Sequence, residues 1–297
     1  MSEFRCGYIS IVGRPNVGKS TLLNHILQQK ISITSRKPQT TRHNIVGIKT
    51  TDEAQFIYVD TPGLHKGGER AMNRYLNRAA STAMLDVDAI VFVIEALKWT
   101  EEDEAVLERL RHGKTPVVLV VNKVDQLSDK GALLPFLEQV NQKMEFAEVI
   151  PLSALRGQNL EVLERTVQNY LPESAPFYDE DQVTDRSERF LAAEIIREKL
   201  TRRLGQELPY GISVEVEKFE EEGGLYRIHA LIWVERKGQK AIVIGKSGAM
   251  LKSIGKDARL DMERLFDRKV FLELWVKVKE GWSDDERALR SLGYTDV

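Results

Sequence analysis

The chain has 297 residues, 42% of them hydrophobic and 30% charged, with a formal net charge of −2 and one cysteine. This length predicts about two domains, each able to bury a core, and the lone Cys6 excludes an intramolecular disulfide and points to a reducing cytosol. The charge balance, −4 over residues 1–185 and +2 over the rest, gives only a weak hint of a polyanion partner, so a case for RNA must rest on a specific site.

The first apolar run, residues 8–12, leads directly into a glycine loop, so no secretory leader is expected. Further on, the densest apolar stretches, 89–94 and 117–121, are too short to span a membrane, and any membrane contact is expected to be peripheral. Residues 8–12 read as a buried strand and 21–29 as a helix. Between them lie Gly13, Arg14, Pro15, Asn16, Val17, Gly18, Lys19 and Ser20, two glycines four residues apart followed by Lys and Ser. Strand, glycine loop and helix form a phosphate cradle. The glycines let backbone N–H groups converge, and the helix opening at Thr21 adds its positive end. Lys19 would reach the β- and γ-phosphates and Ser20 would hold Mg²⁺.

Residues 31–44 are polar and basic, without apolar periodicity, and read as a mobile loop. Within it Thr40 and Thr41 offer hydroxyls, and Thr41 is the expected second ligand to Mg²⁺ once a γ-phosphate is bound. Strands at 45–49 and 55–59 form a hairpin that runs into Asp60, Thr61, Pro62 and Gly63. A carboxylate ending an apolar strand downstream of a phosphate loop suits a metal, and Gly63 offers an uncrowded amide to the γ-phosphate. After a helix at 70–84, strands at 89–95, 117–121 and 148–151 alternate with helices at 101–111, 130–144 and 160–170. This predicts a mostly parallel sheet with helices on both faces and ligands at the strands' carboxyl ends. Asn122, Lys123, Val124 and Asp125 follow one such strand. Asp125 can accept from both N1–H and N2–H₂ of guanine, a pairing adenine cannot offer. Lys123 can lie along the base, Asn122 can tie loops together, and the loop Ser153, Ala154, Leu155 can offer an N–H to the guanine O6.

With these loops in order, residues 8–171 resemble a translation-factor-type GTPase domain. The fold implied is α/β, Ras-like, binding GTP and GDP through residues 13–21, 60–64, 122–125 and 153–155. Leu64 stands where Ras-like enzymes carry a water-orienting glutamine, and leucine cannot orient water. Asn16 resembles the asparagine with which some GTPases hold K⁺ against the phosphates. The implied catalytic set is Lys19, Asn16, Thr41 and Gly63, with Ser20, Thr41 and Asp60 around Mg²⁺ and K⁺ as an implied assisting ion.

Residues 172–186, acidic and proline-containing, read as a linker between domains at 1–171 and 187–297. From Ser187 an amphipathic helix runs to Leu204, followed by alternating strands at 212–217 and 225–234. A short helical piece at 240–244 meets Ile244, Gly245, Lys246, Ser247 and Gly248; a longer helix to 266 and a strand at 270–278 complete the order. A lone GxxG is also a common helix–helix turn. In this order of elements it resembles an α+β KH domain of type II, with the extra helix and strand N-terminal. Residues 244–248 would bind single-stranded RNA, because two glycines admit a nucleic-acid backbone and Lys246 adds charge.

Together with the closing run WVKVKEGWSDDERALRSLGY, both halves resemble the Era family of bacterial GTPases over essentially the whole chain. The resemblance implies a GTP-driven assembly factor for the small ribosomal subunit that binds the 3′ end of its rRNA. It also implies a cytoplasmic protein, partly associated with the cytoplasmic face of the cell membrane; a monomer is the expectation. A hydrolase whose product matters and an RNA-binding switch timed by hydrolysis both fit the residues. An ATP-dependent kinase is argued against by Asp125.

Overall fold

The computed structural model describes residues 4–35, 37, 39–63, 71–205, 211–292 and 294. It divides into two compact units: Met1–Ser32, Thr41–Gly67 and Leu76–Asp185 form the first, and Ile33–Thr40, Gly68–Tyr75 and Arg186–Val297 the second.

The chain order through the first half is β1 (Arg5–Val12), α1 (Lys19–Ile26), β2 (Ile45–Thr50), β3 (Ala54–Asp60), α2 (Ala71–Thr82), β4 (Ala89–Glu95), α3 (Glu101–Leu110), β5 (Val117–Asn122), α4 (Leu133–Asn141), β6 (Glu148–Pro151) and α5 (Leu160–Gln168). The six strands form one sheet ordered β2-β3-β1-β4-β5-β6, parallel except for β2 against β3. The runs AIVFVIE and VVLVVN are buried at nearly every position, as strands covered on both faces must be. Phe92, Leu119 and Val121 pack there against Val106 and Leu107 of α3. The turn before α3 is closed by a capping box between Thr100 and Asp103. Strands β1, β3, β4 and β5 deliver Val12, Asp60, Glu95 and Asn122 to the same edge of the sheet.

Residues 172–185, expected as a linker, lie on the first unit. Gln55, fully buried on β3, accepts the N–H groups of Phe177 (2.8 Å) and Tyr178 (3.0 Å) and donates to the Tyr178 carbonyl (2.8 Å). Val183 accepts from Ile48 N–H (2.8 Å), and Thr184 bridges Gly47 on β2. Composition signals a segment without its own core, and backbone bonding to a neighbouring strand leaves no such signal.

The second unit contains α6 (Glu188–Arg203), β7 (Ile212–Glu222), β8 (Leu225–Val234), α7 (Lys237–Ile244), α8 (Ala249–Phe266), β9 (Lys269–Val278) and α9 (Glu286–Ser291). Its sheet runs β7-β8-β9, with β7 antiparallel and β9 parallel to β8. Helices α6 and α8 cover one face through Ile196, Leu200, Ile254, Ala258 and Met262. The Ser187 hydroxyl caps α6 by accepting Phe190 N–H. Strand β7 exceeds its expected length because a bulge at Val216/Lys218 resets the register, and pairing resumes up to the turn at Gly223 and Gly224.

Helix α6 is buried beyond its apolar stripe, down to Glu194, Arg197 and Glu198. Thr34, Lys37 and Thr40, within the run 31–44 read from sequence as a mobile loop, supply the reason. Glu198 accepts Thr34 N–H (2.9 Å), Arg197 donates to the Thr40 carbonyl, and Lys37 caps the last carbonyls of the helix at Thr201 and Leu204. Polar periodicity alone reports the loop's solubility and not these backbone partners.

Candidate active site and nucleic-acid groove

The phosphate loop follows β1 and needs its glycines for space as well as for conformation. Gly13 has φ +150, and a Cβ there would lie 2.4 Å from the Val93 carbonyl; Gly18, at φ +106, would meet Asn122 Nδ2 at 2.3 Å. Lys19 turns back under the loop and donates to the carbonyls of Gly13 and Arg14, each at 3.0 Å. Burial brings its pKa down to about 8, opposed by the charge of Asp60. The Arg14 side chain points away, to Glu95 (3.2 Å) and the fully buried Asp103 (3.1 Å), so only its backbone is left for a phosphate. Asn16 is exposed at the rim in a left-handed conformation, φ 64.

At the end of β3 the hydroxyls and the carboxylate expected to meet a metal come together. Ser20 Oγ donates to Asp60 Oδ2 (2.6 Å) and lies 2.9 Å from Thr41 Oγ1. Asp60 is fully buried, and its second oxygen, Oδ1, has no hydrogen-bond partner among the described residues. Burial pushes this carboxyl up from its usual range, against the pull of Lys19 and of the Ser20 and Ser32 hydroxyls. A buried orphan acceptor beside two hydroxyls is an all-oxygen donor set, which fits Mg²⁺. Among the described residues no group of three or more His, Cys, Asp or Glu could hold a metal instead. Gly63 lies so close to the phosphate loop that a Cβ would come within 2.7 to 2.9 Å of Pro15, while Thr61 is anchored on the Ile11 carbonyl (2.9 Å). Leu64 lies outside the described residues.

The Asn122 amide ties the phosphate loop to both base-side loops. Asn122, 2% exposed, donates to the Val17 carbonyl (2.7 Å) and accepts the N–H groups of Lys123 (2.7 Å) and Ala154 (2.9 Å). Lys123 is held at φ 69, its ammonium on Glu95 (2.8 Å), and the backbone turns there into the short helical turn Val124–Gln126. Asp125 receives the Ser153 hydroxyl on Oδ1 (2.6 Å), and Arg156 Nε lies 3.9 Å from Oδ2. Ser153 Oγ in turn accepts Arg156 N–H (3.1 Å). With Ala154 N–H already taken, Leu155, 67% exposed, has the amide left to meet a guanine O6.

In the second unit, Gly245 (φ 71), Ser247 (φ 51) and Gly248 (φ 78) curl the chain between α7 and α8. A Cβ at Gly245 would lie 2.6 Å from that of Met250. No side-chain hydrogen bond caps α8 at Gly248, and the first N–H of the helix, that of Ala249, donates to the Lys246 carbonyl. Ile244 closes α7, and Lys246 stands at the tip. Beyond the turn, a cleft of about 370 Å³ runs between α8 and β9, floored by Leu251, Leu272 and Leu274 and rimmed by Lys252, Lys256 and Arg259. An apolar floor for bases beside cations for phosphates is what single-stranded nucleic acid requires.

Sequence reasoning missed Glu95, Asp103, Asn24 and Ser32 around the nucleotide loops, and the stripe of residues 251, 252, 255, 256 and 259 along the groove. The stripe was accessible, since three- and four-residue spacing on a helix puts these positions on one face. The others act through contacts distant in sequence that no local pattern marks.

Residues 8–123 match the family of 50S ribosome-binding GTPases, and residues 207–283 match the KH domain family. The chain is 64% identical to the GTPase Era of Pseudomonas aeruginosa, covering 99% of this chain and 96% of that one. It is 61% identical to the GTPase Era of Marinobacter nauticus, covering 99% and 96%. Among solved structures, a variant of Aquifex aeolicus Era bound to GDP·AlF4⁻ superposes with TM-score 0.95 at 38% identity, covering 98% of this chain and 99% of that chain. Era in complex with MgGDPNP and nucleotides 1506–1542 of 16S ribosomal RNA does so with TM-score 0.95 at 39% identity and the same coverage.

Proposed function

The chain belongs to the Era family of GTPases, and on that premise we propose that it is a GTP-hydrolysing switch that binds single-stranded RNA at the 3′ end of small-subunit rRNA and acts in assembly of the small ribosomal subunit. The observation that carries this reading is the presence in one chain of a guanine-reading pocket and a basic, apolar-floored groove behind a GxxG turn. The relative solved with MgGDPNP and a 16S rRNA fragment supports both halves. Sequencing the RNA crosslinked to the purified protein tests the reading: small-subunit 3′ sequences are expected, and random recovery would overturn it. Turnover measured with and without that RNA separates a timed switch from a plain hydrolase.

Within this reading the chain divides the work of hydrolysis. Backbone N–H groups from Gly13 to Ser20 hold the phosphates, Lys19 swings from its carbonyls onto the β- and γ-oxygens, and the Gly63 amide faces the γ-phosphate. Ser20, Thr41 and Asp60 would hold Mg²⁺, which neutralises the charge on the phosphate oxygens. Leu64 supplies no group to orient water, so intrinsic turnover is slow. Asn16, on the exposed rim of the loop, supports a role for K⁺ as the missing positive charge. Turnover should then rise more in K⁺ than in Na⁺ and lose that preference in Asn16→Ala; equal rates in both salts would remove Asn16 from the mechanism. A cytoplasmic monomer with peripheral membrane contact completes the proposal. Among the described residues no helix is long and apolar enough to cross a membrane.

A further inference from the structure

We propose that Ser32, gripped by Asn24, is a positioning residue for the metal: its hydroxyl orients the Asp60 carboxylate so that Oδ1 is the oxygen offered to the ion. Helix α1 brings Ser20 and Asn24 to one face, since they are four residues apart. Ser20 serves the metal site directly. Asn24 closes on the chain just after the helix: its Oδ1 accepts Ile31 N–H (3.0 Å) and Ser32 N–H (2.9 Å), and its Nδ2 donates to the Ser32 carbonyl (2.7 Å). Three bonds from one side chain leave Ser32 a single position, 1% exposed, from which its hydroxyl donates to Asp60 Oδ2 at 2.8 Å.

That oxygen already accepts Ser20 Oγ (2.6 Å), so two hydroxyls from different segments fix it in place. A carboxylate held by one donor can rotate and exchange its oxygens; held by two, it presents one defined acceptor. The defined acceptor is Oδ1, the buried oxygen without a partner among the described residues. Groups behind a metal's own ligands orient those ligands, and losing one weakens the metal about ten- to a hundredfold. If Ser32 served only as core filling, its removal would loosen nucleotide binding equally with and without the ion.

The release rate of a fluorescent GDP from the full-length protein, measured across a range of free Mg²⁺ set with EDTA, separates the two roles. Ser32→Ala should shift the Mg²⁺ midpoint upward by about ten- to a hundredfold while leaving the release rate in excess EDTA at the wild-type value. Asn24→Ala should shift it the same way, and the double variant no further than the larger single shift, because both residues act through one bond to Asp60. A Ser32→Ala midpoint within twofold of wild type would overturn the proposal. So would an EDTA release rate raised by the same factor as the rate in saturating Mg²⁺, or a double variant whose shift is the product of the two singles.

Discussion

Replacing Asn122 by Ala removes the one side chain among the described residues that joins the phosphate loop to both base-side loops. Three hydrogen bonds go with it, at 2.7, 2.7 and 2.9 Å. The Lys123 amide is half-buried and can turn to water, but the Val17 carbonyl and the Ala154 amide belong to residues at most 1% exposed. Each buried polar group left without a partner costs about 1 to 3 kcal/mol, so the two together cost about 2 to 6 kcal/mol. Water entering the space of the lost carboxamide recovers part of this, which places the expectation near 3 kcal/mol. The nucleotide must then hold the phosphate loop in register with base-side loops to which Asn122 no longer ties it, while the Ser153 hydroxyl on Asp125 still joins those two loops to each other. We therefore expect the penalty mainly in binding, as a loss of about two powers of ten in GDP affinity. A competition titration against a fluorescent nucleotide, with thermal unfolding to confirm that the first unit remains folded, measures it. An Asn122→Ala protein binding GDP within threefold of wild type would refute the reasoning.

Asp125→Asn should lose guanine preference and admit xanthosine triphosphate, since an amide can donate to the O2 that replaces the guanine amino group; an unchanged preference in competition would remove Asp125 as the reader of the base. Lys19, brought down to about 8 by burial, is half neutral at pH 8 in the nucleotide-free protein and becomes charged against phosphate. GTP binding should therefore take up about half a proton at pH 8, and affinity, full well below pH 8, should fall as the pH rises through it. Calorimetry at pH 8 in two buffers of different ionisation heat reads that uptake, and a value of zero would contradict it. Gly245→Asp with Gly248→Asp should abolish RNA binding, measured by filter retention, while GDP affinity is kept; retained RNA binding would place the contact elsewhere. Lys252→Ala with Lys256→Ala should lower the log–log salt slope of single-stranded RNA binding by about 1.4, two phosphates' worth; an unchanged slope would clear both lysines of phosphate contact.

What the sequence made legible was what local chemistry encodes. The loops at 13–20, 60–63 and 122–125 could be read because each follows an apolar strand, and the parallel sheet could be read from strands alternating with helices. The order of helices and strands around Gly245 and Gly248 likewise required only periodicity. Long-range hydrogen bonds leave no such trace. Asn24 reaches eight residues along the chain to Ser32, and Arg14 reaches 89 residues to Asp103. Neither spacing differs from that of an ordinary polar residue on a helix or in a loop. The short helix α9 also escaped, six residues being too few for a period to show. Lys37 illustrates the remaining case: a basic residue in a polar run reads as solvated, yet it stands at the carbonyl end of α6, where a helix accumulates negative charge.

The segment from 172 to 185 bears on how the chain comes to be folded at all. Strand β2 lies at the border of its sheet, where unpaired N–H and C=O groups would template the addition of another chain. Val183 and Thr184 take that position instead, and Gln55 anchors the approach. During synthesis β2 is made about 130 residues before its cover, a delay of roughly 7 to 30 s at ordinary elongation rates. Throughout that interval the nascent unit carries an open border, so this is when it is most exposed to self-association and to chaperone capture. A fragment ending at residue 171 would keep all five nucleotide loops and yet remain in that immature condition permanently.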